Sequence, residues 1–330
     1  MITIINNNND PRYNLALEEY ALKNLQIEED IILLWQNGPS IIIGRNQNTV
    51  EEINAHYVKE HNINVVRRIS GGGAVYHDFG NLNFTFITNN NKDNLNNYRK
   101  FSTPVINALK SLGVPAEFSG RNDILVDGKK FSGNAQSYHK NRMFQHGTIL
   151  YDANLEMVGK VLQVHADKIE SKGIKSNRSR VTNILPYMNE KMTIEKFKNY
   201  LLKYFLETDD INSKTYKLSD EDLKSIQKLM EEKYSTWEWN FGESPQFSIE
   251  KSNRYLGGKV NFNFNVNDGI ITECKIFGDF FGERDITDLE KVLIGKTFKE
   301  DVIYQTLKEQ PLDEYFFNIF LDDLINCIFY

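Results

Sequence analysis

The stretch RRISGGGAVYHD, residues 67–78, combines two arginines with three consecutive glycines. Glycine has no Cβ, so a glycine run lets backbone N–H groups turn toward a phosphate or carboxylate that approaches closely. Arg67 and Arg68 supply fixed positive charge with bidentate geometry. The stretch is not a P-loop or a dinucleotide-binding fingerprint, because no Gly-Lys-Ser/Thr and no helix follows it. It predicts an anion site, and the alternative is a glycine-rich bulge in a sheet.

A lysine pair follows a two-residue turn in DILVDGKKFSGNAQ, residues 123–136. Asp127-Gly128 predicts a hairpin, and strand alternation sends Lys129 and Lys130 to opposite faces. An inward Lys130 near the glycine run would neutralise charge that develops on a phosphate or carboxylate. The alternative is a solvated hairpin lysine. Asp123 is a candidate oxygen ligand for Mg²⁺, which commonly rides on substrate phosphates with few protein carboxylates.

Three further features each allow two interpretations. His146 begins the strand-like HGTILYD, and it is either structural or a hydrogen-bond donor that orients a substrate. His77 has the same two interpretations. A dense basic cluster in an acidic chain is either a solvated loop or a flap over an anionic ligand or docking patch for an acidic partner. That cluster comprises Lys172, Lys175, Arg178 and Arg180.

Composition limits the partners. The chain has 330 residues and a formal net charge of −6, which argues against general binding of nucleic acid or of an anionic membrane. Its two cysteines, Cys274 and Cys327, form no metal-binding motif and predict no disulfide framework. No targeting segment and no apolar run of membrane-spanning length is evident. We expect a cytoplasmic protein.

Strand and helix patterns indicate an α+β protein with a largely antiparallel sheet. A helix is predicted over residues 14–25, with Asn14 as its cap. Alternating apolar residues predict a second hairpin over 259–280, turned by Asp268-Gly269. Two helices, over 287–294 and 312–326, are predicted to close the chain. A break at Ser244-Pro245 suggests a large domain, 1–245, and a small α+β domain, 246–330.

Four stretches, in this order, resemble the lipoate–protein ligase A family: RRISGGGAVYHDFGNLNFTF, GRNDILVDGKKFSGNAQ, HGTILYDANLEMV and SKGIKSNRSRVTNI. The C-terminal piece resembles the small accessory domain of that family. The resemblance implies a large catalytic domain with the antiparallel sheets shared by biotin and lipoate ligases. It also implies that lipoate and MgATP give lipoyl-AMP and pyrophosphate. The lipoyl group then passes to a lysine of an E2 subunit of a 2-oxoacid dehydrogenase or of the glycine-cleavage H protein.

The resemblance makes Lys130 the essential lysine. The residues that it implies for ATP and lipoyl-adenylate are Arg68, Ser70, Gly71, Gly72, Gly73, Ala74, Val75, Tyr76, His77, Asn83, Asn122, Asp123, Lys130, Ser132, Gly133, Ala135, His146, Gly147 and Thr148. Those expected around lipoate are Trp35, Gly73, Tyr76 and His146. One departure is Gln136-Ser137, where some members of the family carry an arginine. The rival function on the same fold is ATP-independent transfer of octanoyl or lipoyl groups between carrier proteins.

Overall fold

The chain forms two compact units. The computed structural model describes residues 1–89, 94, 96–120, 122–162, 181–244, 247–280 and 282–330. The large unit combines Met1–Arg45 with Ile63–Thr236, and the small unit combines Asn46–Asn62 with Trp237–Tyr330. The basic cluster at 172–180 lies outside the described residues. The predicted domain limits, 1–245 and 246–330, stay a prediction about independent folding.

The large unit is built on two sheets. A seven-stranded sheet has the order β1-β2-β6-β10-β9-β8-β7, and a three-stranded sheet has the order β4-β3-β5. Among the paired strands of the described residues, β1–β2 and β3–β4 are parallel and the others antiparallel, so the prediction of a largely antiparallel α+β fold is confirmed. The strands are β1 Ile2–Thr3, β2 Ile31–Trp35, β3 Ser40–Ile43, β4 Asn64–Arg67, β5 Val75–His77, β6 Asn81–Asn89, β7 Ala116–Ser119, β8 Asp123–Val126, β9 Lys129–His139 and β10 Arg142–Leu150.

Two helices cover one face of the seven-stranded sheet. The α-helices of the large unit, within the described residues, are α1 Pro11–Lys23, α4 Tyr98–Ser111, α5 Leu155–Val161, α6 Ile194–Leu206 and α7 Asp220–Leu229. Alternate strand residues such as Leu34 and Phe84 pack into one buried cluster with Val105 of α4 and Leu201 of α6. Because strand side chains alternate, the opposite face of the same strands is left for other uses.

Helix α1 begins three residues before the predicted Asn14 cap. Asp10 is the cap residue, since its side chain accepts from the Arg12 N–H, and Pro11 occupies the first turn, where a missing N–H costs nothing. Asn14 lies inside the helix and is buried. The prediction of an Asn14 cap was therefore wrong, and its amide serves another purpose.

The small unit contains a three-stranded antiparallel sheet and six helices among its described residues. The elements are α2 Thr49–Glu52, α3 Ala55–Glu60, β11 Phe247–Tyr255, β12 Gly258–Asn267, β13 Ile270–Gly278, α8 Ile286–Leu293, α9 Glu300–Lys308, α10 Leu312–Tyr315 and α11 Leu321–Phe329. The predicted hairpin is confirmed, with positive φ at both Asp268 (48°) and Gly269 (74°). The helix predicted over 312–326 is instead interrupted, and Asn318 between α10 and α11 has φ 53°. Strand β11 and helix α9 were not predicted.

Residues 46–62 join the small unit although they lie between two strands of the large one. Val50 packs against the small unit's hydrophobic core, and the Thr49 hydroxyl donates to the Asn240 carbonyl at 2.6 Å. Within the described ranges of the chain, no helix combines the length and apolar character needed to cross a membrane.

Candidate active site

The face of the seven-stranded sheet opposite α4 and α6 carries most of the predicted site residues; we call it the site face. Strand register aligns Trp35 with Asn83, Asn83 with Thr148, and His146 with Ala135. Paired residues point to the same side of a sheet. Alternation and register therefore place on the site face Trp35, Asn83, Asp123, Lys130, Gly133, Ala135, His146 and Thr148.

A β-bulge sets the position of Lys130. Leu125 pairs with Lys130 while its neighbour Ile124 pairs with Ser132, so Phe131 is an extra residue, and it is fully buried in the core. The bulge puts Lys130 on the same side as Gly133 rather than Ser132. Lys130 Nζ lies 2.8 Å from Asp123 Oδ1, and a Cβ on Gly133 would come within 3.0 Å of Nζ.

The glycine loop, residues 70–74, is held from behind by Arg68. The Arg68 guanidinium donates to Ser70 Oγ (3.1 Å), to the Ile42 carbonyl (3.0 Å), and to the carbonyls of Gly71 (2.8 Å) and Gly73 (2.9 Å). In a trans peptide the N–H points away from the C=O, so the next N–H groups, of Gly72 and Ala74, point away from the guanidinium. Arg68 therefore shapes the loop into a set of outward-facing donors.

Gly72 differs from Gly71 and Gly73 in the reason why the position needs glycine. Gly72 has φ +100°, which side chains rarely adopt, and a Cβ there would lie 2.9 Å from Arg68 Nη2. A Cβ on Gly71 or Gly73 would meet nothing within 4 Å. Gly72 is thus needed for the loop's own conformation, whereas Gly71 and Gly73 leave open space in front of it.

A buried chain of polar groups joins the loop to the sheet. His146 Nε2 lies 2.7 Å from Ser70 Oγ, and its Nδ1 lies 2.9 Å from Glu18 Oε1. Thr85 Oγ1 donates to the same carboxylate at 2.6 Å and accepts from Trp35 Nε1 at 2.9 Å. An ionised carboxylate only accepts, so His146 donates from Nδ1 to Glu18, and its Nε2 shares a hydrogen bond with the Ser70 hydroxyl. His146 positions the glycine loop.

Sequence reasoning missed Glu18, Thr85 and Phe144. Glu18 is 1% exposed on α1, and a carboxylate buried that deeply requires partners. Its partner His146 lies 128 residues away, and strand register rather than local spacing brings them together. Phe144 shares the site face with Ser137, and its ring lies 4.8 Å from that of His146.

Burial shifts the pKa of two groups beside the loop. Burial lowers the pKa of Arg68 to about 10, which leaves it charged near neutrality. Burial, with the positive charge of Arg68 adding to it, lowers the pKa of His77 to about 3. His77 is therefore a neutral imidazole at pH 7, and its ring lies edge-on to Trp35 at 6.4 Å.

Three predicted site residues lie elsewhere. A Cβ on Gly147 would meet Asn134 Oδ1 at 2.4 Å and the Phe84 ring at 2.5 Å, so Gly147 packs on the core side. Ser132 pairs with buried Ile124 on that side as well. Asn122 Nδ2 donates to the Asn134 carbonyl at 2.6 Å, which fastens the edge of β9.

The remaining predicted residues form or border strand β5. Val75 and Tyr76 pair with Ile42 and Ile41, and Tyr76 is 8% exposed. At the predicted departure from the family pattern, the Gln136 amide donates to Gln145 Oε1 at 2.9 Å and is not on the site face. Ser137 takes the position on that face.

The acidic side chains of the site can contribute a ligand to a Mg²⁺ ion that arrives with a nucleotide, but they do not form a metal site of their own. Among the described residues, no three His, Cys, Asp or Glu side chains cluster as metal ligands. Asp123 is a single carboxylate whose Oδ1 already faces Lys130. It can supply one oxygen, and the other ligands would have to be phosphates and water.

Known proteins share this architecture over the whole chain. Residues 10–206 match the Lipoyl protein ligase A/B catalytic domain, and residues 244–328 match the Bacterial lipoate protein ligase C-terminus. The chain is 51% identical to Lipoate-protein ligase LplJ of Bacillus subtilis, with 100% of both chains covered.

Three solved structures are similar. The P. falciparum ligase LipL1 in complex with lipoate has a TM-score of 0.60 and 29% identity, covering 99% of both chains. A lipoate-protein ligase A bound with ATP has a TM-score of 0.62 and 28% identity, covering 73% of this chain and 98% of the other. The bipartite ligase of Thermoplasma acidophilum, described with its E2 lipoyl domain, has a TM-score of 0.64 and 29% identity, covering 75% and 98%. The chain therefore belongs to the lipoate–protein ligase family.

Proposed function

We propose that this ligase joins lipoate and ATP to give lipoyl-AMP and pyrophosphate, and then transfers the lipoyl group to a lysine ε-amine of an acceptor protein. The observation that carries the proposal is the placement of Lys130 on the site face, 2.8 Å from Asp123 Oδ1 and against Gly133. The ligands named for the two solved relatives, lipoate and ATP, support the same pair of substrates.

The glycine loop would receive the anionic part of the adenylate. Its N–H groups face away from Arg68, and the space in front of Gly71 and Gly73 is open. The buried guanidinium lies behind the loop and adds a fixed positive charge to these donors. Preorganised donors of this kind need no rearrangement when an anion binds.

Lys130 would act through charge. A carboxylate that attacks the α-phosphate brings two anions together, which is costly in a site with little water. An ammonium between them offsets the repulsion most strongly as charge builds up in the transition state. The ion pair with Asp123 orients the side chain, and the ammonium N–H groups of Lys130 can donate to the substrates.

The same ammonium would serve the second half-reaction. It can polarise the carbonyl of the mixed anhydride for attack by the acceptor amine, and AMP then leaves. Lys130 is an electrostatic group in both steps and never a nucleophile.

Mg²⁺, when bound with ATP, would neutralise part of the charge of the phosphates. Asp123 is the residue placed to contribute an oxygen to it. Aromatic side chains on or beside the site face would hold the C8 chain, namely Trp35, Tyr76 and Phe144, which are 4%, 8% and 0% exposed.

Lipoyl domains of E2 subunits and the glycine-cleavage H protein are the proposed acceptors. The Thermoplasma acidophilum ligase is described together with an E2 lipoyl domain, which supports the first class. For the rival, ATP-independent transfer through a cysteine thioester, neither cysteine is suited. Cys274 and Cys327 are 1% and 4% exposed, and burial, with Glu290 adding to it, raises the pKa of Cys274 to about 12.

ATP–pyrophosphate exchange with lipoate, octanoate or biotin tests the proposal. We expect lipoate-dependent exchange without any acceptor protein and none with biotin. Acyl transfer to an acceptor that proceeds without ATP, together with absent exchange, would favour the carrier-to-carrier transferase instead.

A further inference from the structure

Three asparagine side chains form a continuous hydrogen-bonded row that ends on His77. Asn6 Nδ2 donates to Asn14 Oδ1 at 2.7 Å, and Asn14 Nδ2 lies 2.9 Å from Asn37 Oδ1. Asn37 Nδ2 lies 3.1 Å from His77 Nδ1. All three asparagines and His77 are buried. We call this row the amide relay.

Two backbone carbonyls set the direction of the relay. Besides Asn37, the Asn14 Nδ2 group meets the carbonyl oxygens of Asn8 (3.0 Å) and Gln36 (2.8 Å). A carbonyl oxygen only accepts, so this end of the Asn14 amide must be the NH₂ group. The two hydrogens of this NH₂ group are shared among three acceptors, and a second NH₂ group facing it would be repelled, so the Asn37 oxygen faces Asn14 and the Asn37 NH₂ faces His77.

The direction of the relay determines the tautomer of His77. Because Asn37 donates to Nδ1, that nitrogen must accept, and the proton of the neutral ring is on Nε2. Burial and the positive charge of Arg68 lower the pKa of His77 to about 3, so the ring does not take a second proton near neutrality. Lys198 Nζ donates to the Asn6 carbonyl at 3.0 Å and anchors the far end.

The donor created in this way has no acceptor. His77 Nε2 is buried and has no hydrogen-bond partner among the described residues. A buried N–H group without an acceptor is energetically costly, and such groups are rare in folded proteins. The ring lies edge-on to Trp35 and near Arg68 and His146, beside the proposed acyl pocket.

We propose that Asn14 and Asn37 are positioning residues that hold His77 as a neutral Nε2–H donor for the bound acyl substrate. The proposal rests on lipoate being that substrate, as in the proposed function. Binding supplies the missing acceptor, which is either the carboxyl or acyl oxygen or a sulfur of the dithiolane ring. The relay itself exists in the free protein and does not depend on the reaction.

The relay can be read by NMR on the full chain labelled with ¹⁵N-histidine. The resonance that is absent from the spectrum of the His77→Gln variant is assigned to His77. We expect an unprotonated Nδ1 and a protonated Nε2 from pH 6 to pH 8, and protonation of Nδ1 in Asn37→Asp, whose carboxylate only accepts. A wild-type Nδ1–H tautomer or imidazolium at pH 7, or an Nδ1 that stays unprotonated in Asn37→Asp, overturns the relay.

Ligand addition tests the donor. Lipoate should move the His77 Nε2–H proton resonance downfield, and ATP alone should not. Calorimetric binding of lipoate with no movement of that resonance contradicts the assignment. Absence of any lipoate binding refutes the proposed function instead, while the tautomer result stands.

Steady-state kinetics of His77 variants distinguish a hydrogen-bond donor from a side chain that only packs. His77→Leu should raise the KM for lipoate about ten-fold, the value of one hydrogen bond, with kcat changed less than about three-fold. His77→Gln, which restores an N–H at similar reach, should recover most of that loss. Asn9→Ala is the control, since Asn9 donates to the Gln36 carbonyl at 3.2 Å outside the relay, and it should leave the KM unchanged.

Octanoate locates the acceptor atom. An equal loss for lipoate and octanoate in His77→Leu places the hydrogen bond at the carboxyl end, and a loss for lipoate alone places it at the dithiolane ring. If the loss in His77→Leu equals that in His77→Gln for both substrates, His77 acts by packing and the proposal is wrong.

Discussion

Arg68 and Lys130 are two of the cations that the sequence analysis singled out, and they have opposite environments in the structure. Arg68 is 6% exposed, and its guanidinium donates to four protein oxygens. The Lys130 side chain is 41% exposed, and its ion pair is with the single carboxylate of Asp123. The Arg68 guanidinium is hydrogen-bonded to the protein and so shapes the binding loop. The Lys130 ammonium is accessible and so can contact the substrate.

This difference predicts that the two cations fail in different ways when they are replaced. Loss of Lys130 should remove chemistry and leave the fold intact. Loss of Arg68 should disturb the fold first and the chemistry as a consequence.

The largest expected effect is that of Lys130→Ala on adenylate formation. Removing the charge that stabilises the transition state should lower the rate about a thousand-fold. The free energy of unfolding should change by less than about 0.5 kcal/mol, because the side chain is well exposed. Single-turnover formation of lipoyl-AMP and chemical denaturation measure the two quantities.

Lys130→Arg should fail as well, because a planar fork does not fit where a compact charge lies against Gly133. Lys129→Ala, on the exposed neighbour, is the control and should keep wild-type activity. A near-normal rate for Lys130→Ala would remove Lys130 from the mechanism.

Arg68→Lys should lower the free energy of unfolding by about 2–4 kcal/mol, because an ammonium cannot reach four acceptors that a fork satisfies. Thermal or urea denaturation measures the loss. Arg12→Lys is the control, since Arg12 is 39% exposed in an ion pair with Asp10, and it should change stability by less than about 0.5 kcal/mol. An Arg68→Lys protein as stable as wild type, but inactive, would show that Arg68 contacts the substrate directly.

Gly72→Ala and Gly73→Ala should separate folding from binding within one loop. Gly72 has φ +100°, so its replacement should cost about 1–2 kcal/mol of stability. Gly73 has open space around it, so its replacement should leave stability unchanged and weaken the binding of ATP and lipoate. Calorimetry of both ligands, beside denaturation curves, checks this. Loss of only one ligand in Gly73→Ala would mean that the two do not share the loop.

Asp123→Asn should have the smallest effect, about a ten-fold fall in kcat/KM, since the amide oxygen stays beside Lys130 Nζ but carries no charge. A titration with Mg²⁺ separates the two roles of this residue. If Asp123→Asn needs more Mg²⁺ than wild type for half-maximal activity, Asp123 is an oxygen ligand of the ion. If the two concentrations are equal, Asp123 acts only as the partner of Lys130.

The residues with local signals could be predicted from the sequence. The glycine run, the Asp127-Gly128 turn and the lysines behind it are readable because each signal lies within a few residues. The bulge at Phe131 was not readable, since KKFSG alternates no differently from a regular strand. It nevertheless decides which residues share a face with Lys130.

Features that depend on distant partners were missed. Asn14 looks like a helix cap in its local sequence, but its side chain bonds to Asn37, 23 residues away. Glu18 looks like one more polar residue of an amphipathic helix until register brings His146 to it. Residues 46–62 look contiguous with the large domain, yet they belong to the small unit. A chain cut after residue 245 would therefore keep a segment whose packing partners had been removed.

The central claim, ATP-dependent activation of lipoate through an acyl adenylate, is tested most directly with lipoate labelled by ¹⁸O in its carboxyl group. Attack of the carboxylate on the α-phosphate and later release of AMP leave one labelled oxygen in the AMP. The account predicts that, after transfer to an acceptor lysine, mass spectrometry finds one ¹⁸O per AMP formed. Label found in inorganic phosphate, or transfer without labelled AMP, would contradict it.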